Sequence, residues 1–212
     1  MLKFYHAPWS RSSNVLWLME ELGELYEIEL IDFRQEGGVP EAYRAIQPNK
    51  KVPAIEHDGV VITERAAISI YLADAFPQAG LAPKIGDPAR GPYLTWLVYA
   101  DSVFDPAVAM HTLKLEYQPS GVSFGSHEDL VANLERRLLQ SEFISGDRFT
   151  AVDVQVAGSM GYVMQQGWLP ERPAFTAYLG RTTARPAAKR AQEKDMEMAR
   201  NAPAFAEMFK GR

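Results

Sequence analysis

The sequence predicts an α/β half followed by an all-helical half. Three observations predict it. Short strand-like runs alternate with helical spacing up to about residue 76. A stretch holding four prolines and three glycines then runs from Pro77 to Pro92. From about Ala89 onward the periodicity is helical throughout.

Leu2 to His6 reads as a first strand and Ala7-Pro8-Trp9-Ser10-Arg11 as a loop. A helix is expected from Ser12 or Ser13 to Leu22, with Val15, Leu18, Met19 and Leu22 as its buried stripe. Gly23 supplies the left-handed residue that ends many helices. Tyr26 to Phe33 reads as a second strand that buries Ile28, Leu30 and Ile31. Gln35-Glu36-Gly37-Gly38 is a loop, and Pro40 to Ile46 a short helix. Val52 to His57 and Val60 to Thr63 form a hairpin around Asp58-Gly59, because Gly takes the positive φ of a tight turn. A helix then runs from Glu64 to Phe76, stopped by Pro77, with Ile68, Tyr71, Leu72 and Ala75 on one face. The order is β-α-β-α-β-β-α, with right-handed crossovers in its parallel units.

Within the proline-rich stretch, Leu81 is apolar enough to anchor on a core. The first helix beyond it reaches toward Tyr117, carries Leu94, Leu97, Val98, Asp101, Val108 and Leu115, and is kinked by Pro106. Ser126 to Asp129 is a helix start, followed by Leu130, Leu134 and Leu138 on one face. Thr150 and Asp153 have the spacing of a capping box, with Phe149 and Val154 as the hydrophobic staple. Gly167 ends that helix, and Pro173 to Thr183 and Pro186 to Lys194 are two more. Lys189, Arg190 and Lys194, offset by Glu193, Asp195 and Glu197, read as a solvated face, and the tail after Asn201 is weakly specified. The expected division is 1–78, a linker at 79–91, and 92–212.

Composition narrows the classes of function. With 212 residues, 47% hydrophobic and 23% charged, the chain has the make-up of a soluble globular protein. A net charge of −5 gives no electrostatic reason to expect nucleic acid or an anionic membrane as partner. No window reaches the ~20 apolar residues of a membrane span, and the start lacks a signal-peptide pattern, so a cytosolic location is expected. There is no cysteine, which excludes disulfides, thiolate metal sites and Cys-x-x-Cys redox chemistry. The four histidines, His6, His57, His111 and His127, lack the close spacing of a zinc site, and no metal is expected.

Val52-Pro53-Ala54-Ile55, the hairpin, and then Glu64-x-x-Ala67-Ile68-x-x-Tyr71-Leu72 resemble the glutathione-binding half of the cytosolic, bacterial-type glutathione transferases. From the residues alone, Pro53 reads first as a plain strand-edge proline, since cis is the minority state at X-Pro bonds. The resemblance implies a thioredoxin-like first domain and an all-helical second one. It also implies a cis Val52-Pro53 bond that leaves backbone groups of Val52 to pair with glutathione, with Glu64 holding the γ-glutamyl end. In such proteins the Thr150–Asp153 kind of box starts a central helix of the second domain. Glutathione is the implied co-substrate and a homodimer the implied assembly.

Such enzymes activate a thiol. Lowering its pKa by ~2 units means stabilising the thiolate by ~2.7 kcal/mol. A hydroxyl donor at a helix N-terminus can supply that. Ser10 is the first candidate, Tyr5 the second and Ser12 the third; Ser13 also lies at the helix start. Helix capping is the alternative role for the serines, and strand packing for Tyr5. The resemblance puts Trp9 where serine- and cysteine-type members carry the catalytic residue, so Trp9 is expected to pack against glutathione or its co-substrate. Arg65 stands where Ser is usual; its N–H is kept, and its guanidinium can fork onto the γ-glutamyl carboxylate or face solvent. Lys51 is a candidate for the glycyl carboxylate, with solvated Lys as the alternative. The implied hydrophobic pocket takes Trp9, Tyr99, Phe104 and His111.

The sequence supports an enzyme that presents the thiolate to a hydrophobic electrophile. A glutathione transferase-like ligand carrier or interaction protein is the alternative, favoured by Trp9 and Arg65. A glutathione-dependent disulfide reductase or peroxidase is a further one, since neither needs a protein cysteine.

Overall fold

In a computed structural model, residues 1–34 and 37–205 are described. The chain forms two compact units: Met1–Ile68 with the chain from Pro186 onward, and Ser69–Arg185.

The first unit is built on a four-stranded mixed sheet of β1 (Leu2–His6), β2 (Glu27–Leu30), β3 (Ala54–His57) and β4 (Val60–Thr63), in the order β2-β1-β3-β4. β1 pairs parallel with β2 through Phe4 opposite Ile28, and antiparallel with β3 through Phe4 opposite Ile55. Asp58 and Gly59, with φ of 50° and 83°, turn the β3–β4 hairpin as the sequence predicts. β2 is shorter than the predicted Tyr26–Phe33, and Leu30 on it is 52% exposed. The reason is its position: an edge strand is paired on one side only and its outer residues have little to cover them. Ile31, just past it, is buried with Tyr5, Val39, Tyr43 and Ala54. The predicted helix at Pro40–Ile46 is a 3₁₀ turn at Glu41–Ala45. Gln35 and Glu36, predicted as loop, lie outside the described residues.

Helix α1 (Ser12–Leu22) buries Val15, Leu18, Met19 and Leu22 and ends at left-handed Gly23, whose N–H donates to Met19 O at 3.2 Å. The helix that ends this unit in sequence, Pro186–Asn201, is seven residues longer than expected. Its inward stripe is Ala187, Ala191, Asp195 and Ala199, small residues that let it lie close. The predicted solvated face is corrected here. Arg190 Nε reaches the buried Glu20 carboxylate at 3.0 Å, Lys194 binds the same carboxylate, and Arg190 also donates to Glu20 O. Tyr26 donates to Glu20 as well. Burial pushes the Glu20 carboxyl up, but the donors Lys194, Tyr26 and Arg190 together hold it below the ordinary carboxylate range.

Helix α2 (Arg65–Ala75) follows β4, with Ile68 and Leu72 buried; Ala75, predicted on the same face, is exposed near the helix end. In the second unit, Leu81 is buried and its carbonyl accepts from Ala151 N at 2.9 Å, an anchor of the kind predicted. The predicted long helix is α3 (Arg90–Tyr99), a π segment (Ala100–Phe104) and α4 (Asp105–Thr112). The wide turn lies directly before Pro106, whose missing N–H and bulky ring an α-helical turn does not accommodate. The run stops at Thr112 rather than near Tyr117; Lys114 has φ 53°, and Leu115 is half-exposed.

Helix α5 (His127–Gln140) has a capping box, with Asp129 N donating to Ser126 Oγ at 3.0 Å and Ser126 N to Asp129 at 3.4 Å. Helix α6 (Ala151–Gln165) starts on the predicted Thr150–Asp153 pair, Thr150 N donating to Asp153 Oδ2 at 2.9 Å. Asp153 also accepts from Ile144 N and Tyr178 OH, which ties α6 to α7 (Pro173–Thr183). The chain then enters α8 (Pro186–Asn201). No described helix is long and apolar enough to cross a membrane.

Candidate active site

The site is built in the first unit, where β1 hands the chain to the N-terminus of α1. Alternation along β1 puts Leu2, Phe4 and His6 on one sheet face and Tyr5 on the other. The Tyr5 hydroxyl donates to Glu56 at 3.2 Å and its ring packs on Tyr43, centroids 5.8 Å apart. Burial pushes its phenol up.

On the opposite face, His6 is fully buried, its ring 5.1 Å from Phe4. Its Nδ1 lies 2.7 Å from Ser12 Oγ and its Nε2 2.9 Å from Asp195 Oδ1. Asp195 reaches in from α8 and is 7% exposed. Its second oxygen accepts from Ser13 Oγ at 2.8 Å and from Trp9 N at 3.3 Å. Ser12 Oγ lies 2.8 Å from Ser10 Oγ, 3.0 Å from Ala7 O and 3.1 Å from Ala7 N. Ser10 Oγ lies 2.8 Å from Ala7 O and accepts from Ser12 N at 3.1 Å. Ser10 is partly exposed, whereas Ser12 is fully buried.

Trp9 has φ 54°, in the left-handed region, and its ring lies 4.7 Å from Phe205. Arg34 donates to Pro8 O and Trp9 O and stacks on Phe205, clamping the loop from outside. Before β3, the Val52-Pro53 peptide bond is cis, as the resemblance implies. Lys51 is exposed; its N–H donates to Gln47 Oε1 at 3.1 Å, and Tyr43 OH donates to its carbonyl at 3.2 Å. Glu64 has φ 66° and is exposed at the start of α2, next to Arg65, which is 6% exposed. Arg65 is therefore not the solvent-facing arginine that the sequence leaves open.

The predicted residues Trp9, Ser10, Ser12, Lys51, Val52, Pro53, Glu64 and Arg65 thus all belong to one unit. Tyr99, Phe104 and His111 belong to the other. There, Tyr99 packs on Trp96, Phe104 is buried, and the exposed His111 stacks on His127, centroids 3.9 Å apart. Sequence reasoning missed His6 and Asp195. The signal for Asp195 was its place in a stripe of small residues at every fourth position of α8. Among the described residues, no three His, Cys, Asp or Glu side chains converge as a metal site would need.

A thioredoxin-like α/β unit with hydroxyls gathered at the first helix N-terminus, followed by a helical unit, defines a recognisable class. Residues 8–75 match the family model for the glutathione S-transferase N-terminal domain. Glutathione S-transferase 3 of Schizosaccharomyces pombe is 27% identical over 92% of this chain and 88% of its own length. A glutathione S-transferase of Hyoscyamus muticus is 25% identical over 89% of this chain and 96% of its own. Among solved structures, a sphingomonad glutathione S-transferase complexed with glutathione is 27% identical, with a TM-score of 0.74 over 91% of this chain and 98% of that one. Residues 8–75 thus form a glutathione S-transferase N-terminal domain, and the chain as a whole is similar to glutathione S-transferases.

Proposed function

We propose that this protein is a glutathione transferase. It binds glutathione in its first unit, lowers the pKa of the bound thiol and presents the thiolate to a hydrophobic electrophile. The observation that carries the reading is the group of hydroxyls at the start of α1, with partly exposed Ser10 at its outer end and Ser12 Oγ 2.8 Å behind it. A thiolate placed there has a hydroxyl donor and the positive end of an eleven-residue helix dipole. Val52 offers backbone groups to the cysteinyl segment, Lys51 a charge to the glycyl carboxylate, and Glu64 with the N–H of Arg65 takes the γ-glutamyl end. Trp9 faces the electrophile. A cytoplasmic homodimer with a boundary at 79–91 belongs to the same proposal.

Ser10 ranks above Tyr5 because the Tyr5 hydroxyl is donated to Glu56 on the other face of β1. It ranks above Ser12 because Ser12 is fully buried. The carrier reading draws support from Trp9, held against Phe205 at the position the resemblance assigns to catalysis. Retention on immobilised glutathione, run beside turnover of small electrophiles, peroxides and mixed disulfides, separates the readings. Retention with turnover of electrophiles is expected. Retention without any turnover makes the protein a carrier, and turnover of mixed disulfides or peroxides alone makes it a reductase or peroxidase.

A further inference from the structure

A thiol bound at Ser10 must lose a proton, and the structure supplies a buried path for it. Ser10, Ser12, His6 and Asp195 form a continuous chain, with successive separations of 2.8, 2.7 and 2.9 Å. Only the Ser10 end is partly exposed; His6 and Ser12 have no exposed surface. Such a chain is more than a cap for α1, because a cap needs one hydroxyl and no imidazole.

Proton counting gives the chain two states. Ser12 Oγ has one hydrogen and two lone pairs, yet four polar neighbours: His6 Nδ1, Ser10 Oγ, Ala7 O and Ala7 N. The Ala7 N–H always takes one lone pair. With His6 neutral, its Nε2–H donates to Asp195 and its Nδ1 accepts the Ser12 hydrogen. The remaining Ser12 lone pair then accepts the Ser10 hydrogen, so the outward lone pair of Ser10 is ready to accept. With His6 protonated on both nitrogens, Nδ1–H takes that second lone pair of Ser12. The Ser10 hydrogen can no longer point inward to Ser12; it turns to Ala7 O, 2.8 Å away, or, with a ligand sulfur in place, outward to that sulfur.

We propose that His6, oriented by Asp195, takes up the proton of the glutathione thiol through Ser12 and Ser10. This rests on the transferase reading above. In the step, the S–H bond breaks and its proton passes to Ser10 Oγ; the former Ser10 hydrogen passes to Ser12 Oγ, and the former Ser12 hydrogen to His6 Nδ1. One proton enters and one imidazolium forms beside the Asp195 carboxylate, so the thiol–imidazole pair becomes a thiolate–imidazolium pair with no net change in charge. The hydrogen bonds from Ser10 to Ser12 and from Ser12 to His6 reverse, His6 Nε2–H goes on donating to Asp195, and Ser10 ends as the donor to the thiolate. Asp195 also holds the loop, through Trp9 N and Ser13 Oγ, which keeps the path in register. His6 and Asp195 are positioning residues, since they reach the thiol only through the serines.

The test counts protons. Glutathione binding to the whole protein is measured by calorimetry at neutral pH in two buffers of different ionisation heat, and the thiolate formed is read by ultraviolet absorbance. Thiolate formation with close to no proton released to buffer is the expected result. Release of one proton per thiolate in the wild type overturns the relay and leaves the transferase reading standing. Absence of any binding heat overturns both. In His6→Gln and Asp195→Asn, each thiolate that still forms is expected to release one proton; release unchanged from wild type overturns the assignment. The wild-type count decides even if neither variant folds.

Discussion

Asp195 accepts a hydrogen bond from His6 Nε2 at 2.9 Å across 189 positions of sequence. It joins the start of the first strand-helix unit to the last long helix and is met on its other oxygen by Ser13 and Trp9. Asp195→Ala would leave three buried or half-buried donors without their acceptor. The expected cost is about 3 kcal/mol, with Asp195→Asn losing about half as much. Urea unfolding measures both, read as a shift in midpoint at constant slope. A loss below about 1 kcal/mol for the alanine variant would remove Asp195 from the structural account.

Glu20 anchors α8 from the other side through Arg190 and Lys194, both about half exposed. Glu20→Gln is expected to cost about 1 kcal/mol at pH 7, the size of a partly screened pair. The sign follows from the lowered folded pKa. The contribution is present above the unfolded value of about 4.5 and is lost as pH falls through the folded one. The stability gap between wild type and Glu20→Gln should therefore narrow in acid, and a gap independent of pH would contradict the ion pair.

Asp153 behaves in the opposite way. Burial pushes its carboxyl up to about 6, in spite of donation from Ile144 N, Thr150 N and Tyr178. Between an unfolded value near 3.8 and about 6, the folded state holds a proton that the unfolded state has lost. Its contribution is thus greatest below the unfolded value and declines as pH rises to about 6. Unfolding of wild type and Asp153→Asn across that range should show the wild-type advantage shrinking upward in pH. Thr150→Ala is expected to cost about 1 kcal/mol or somewhat more, because the pair is buried.

What was legible in the sequence was local. The Gly23 cap, the Asp58-Gly59 turn, the Thr150–Asp153 box and the start of α7 at Pro173 each depend on a few consecutive residues, and each is found where expected. The length of β2 was not legible, because Tyr26, Ile31 and Phe33 have β propensity but edge strands lose pairing for reasons of position. Nor was the break at Ala100–Phe104, where the proline was visible but its remedy, a widened turn rather than a simple kink, depends on packing. At the candidate site, the serines were legible because they fall within four positions. His6 and Asp195 were not. A histidine at a strand end and an acid in a charged run look ordinary until the fold brings them together.

Tyr5→Phe separates the two faces of β1. The hydroxyl donates to Glu56, so its removal is expected to cost about 0.5–1 kcal/mol in stability. Affinity for glutathione and turnover should stay within about twofold of wild type, a change of roughly 0.4 kcal/mol. A fall of a hundredfold or so in turnover, about 2.7 kcal/mol, would make Tyr5 the activating hydroxyl instead.

The central claim is that a thiol bound at the N-terminus of α1 is ionised with the help of Ser10. The direct measurement is the pH titration of bound glutathione by thiolate absorbance, in wild type and in Ser10→Ala. The account predicts a bound thiol titrating ~2 units below its free value, moved back toward that value in Ser10→Ala. Bound glutathione with an unshifted thiol in the wild type would contradict the claim. A lowered value left unchanged by Ser10→Ala would pass the role from Ser10 to the backbone donors of the helix start.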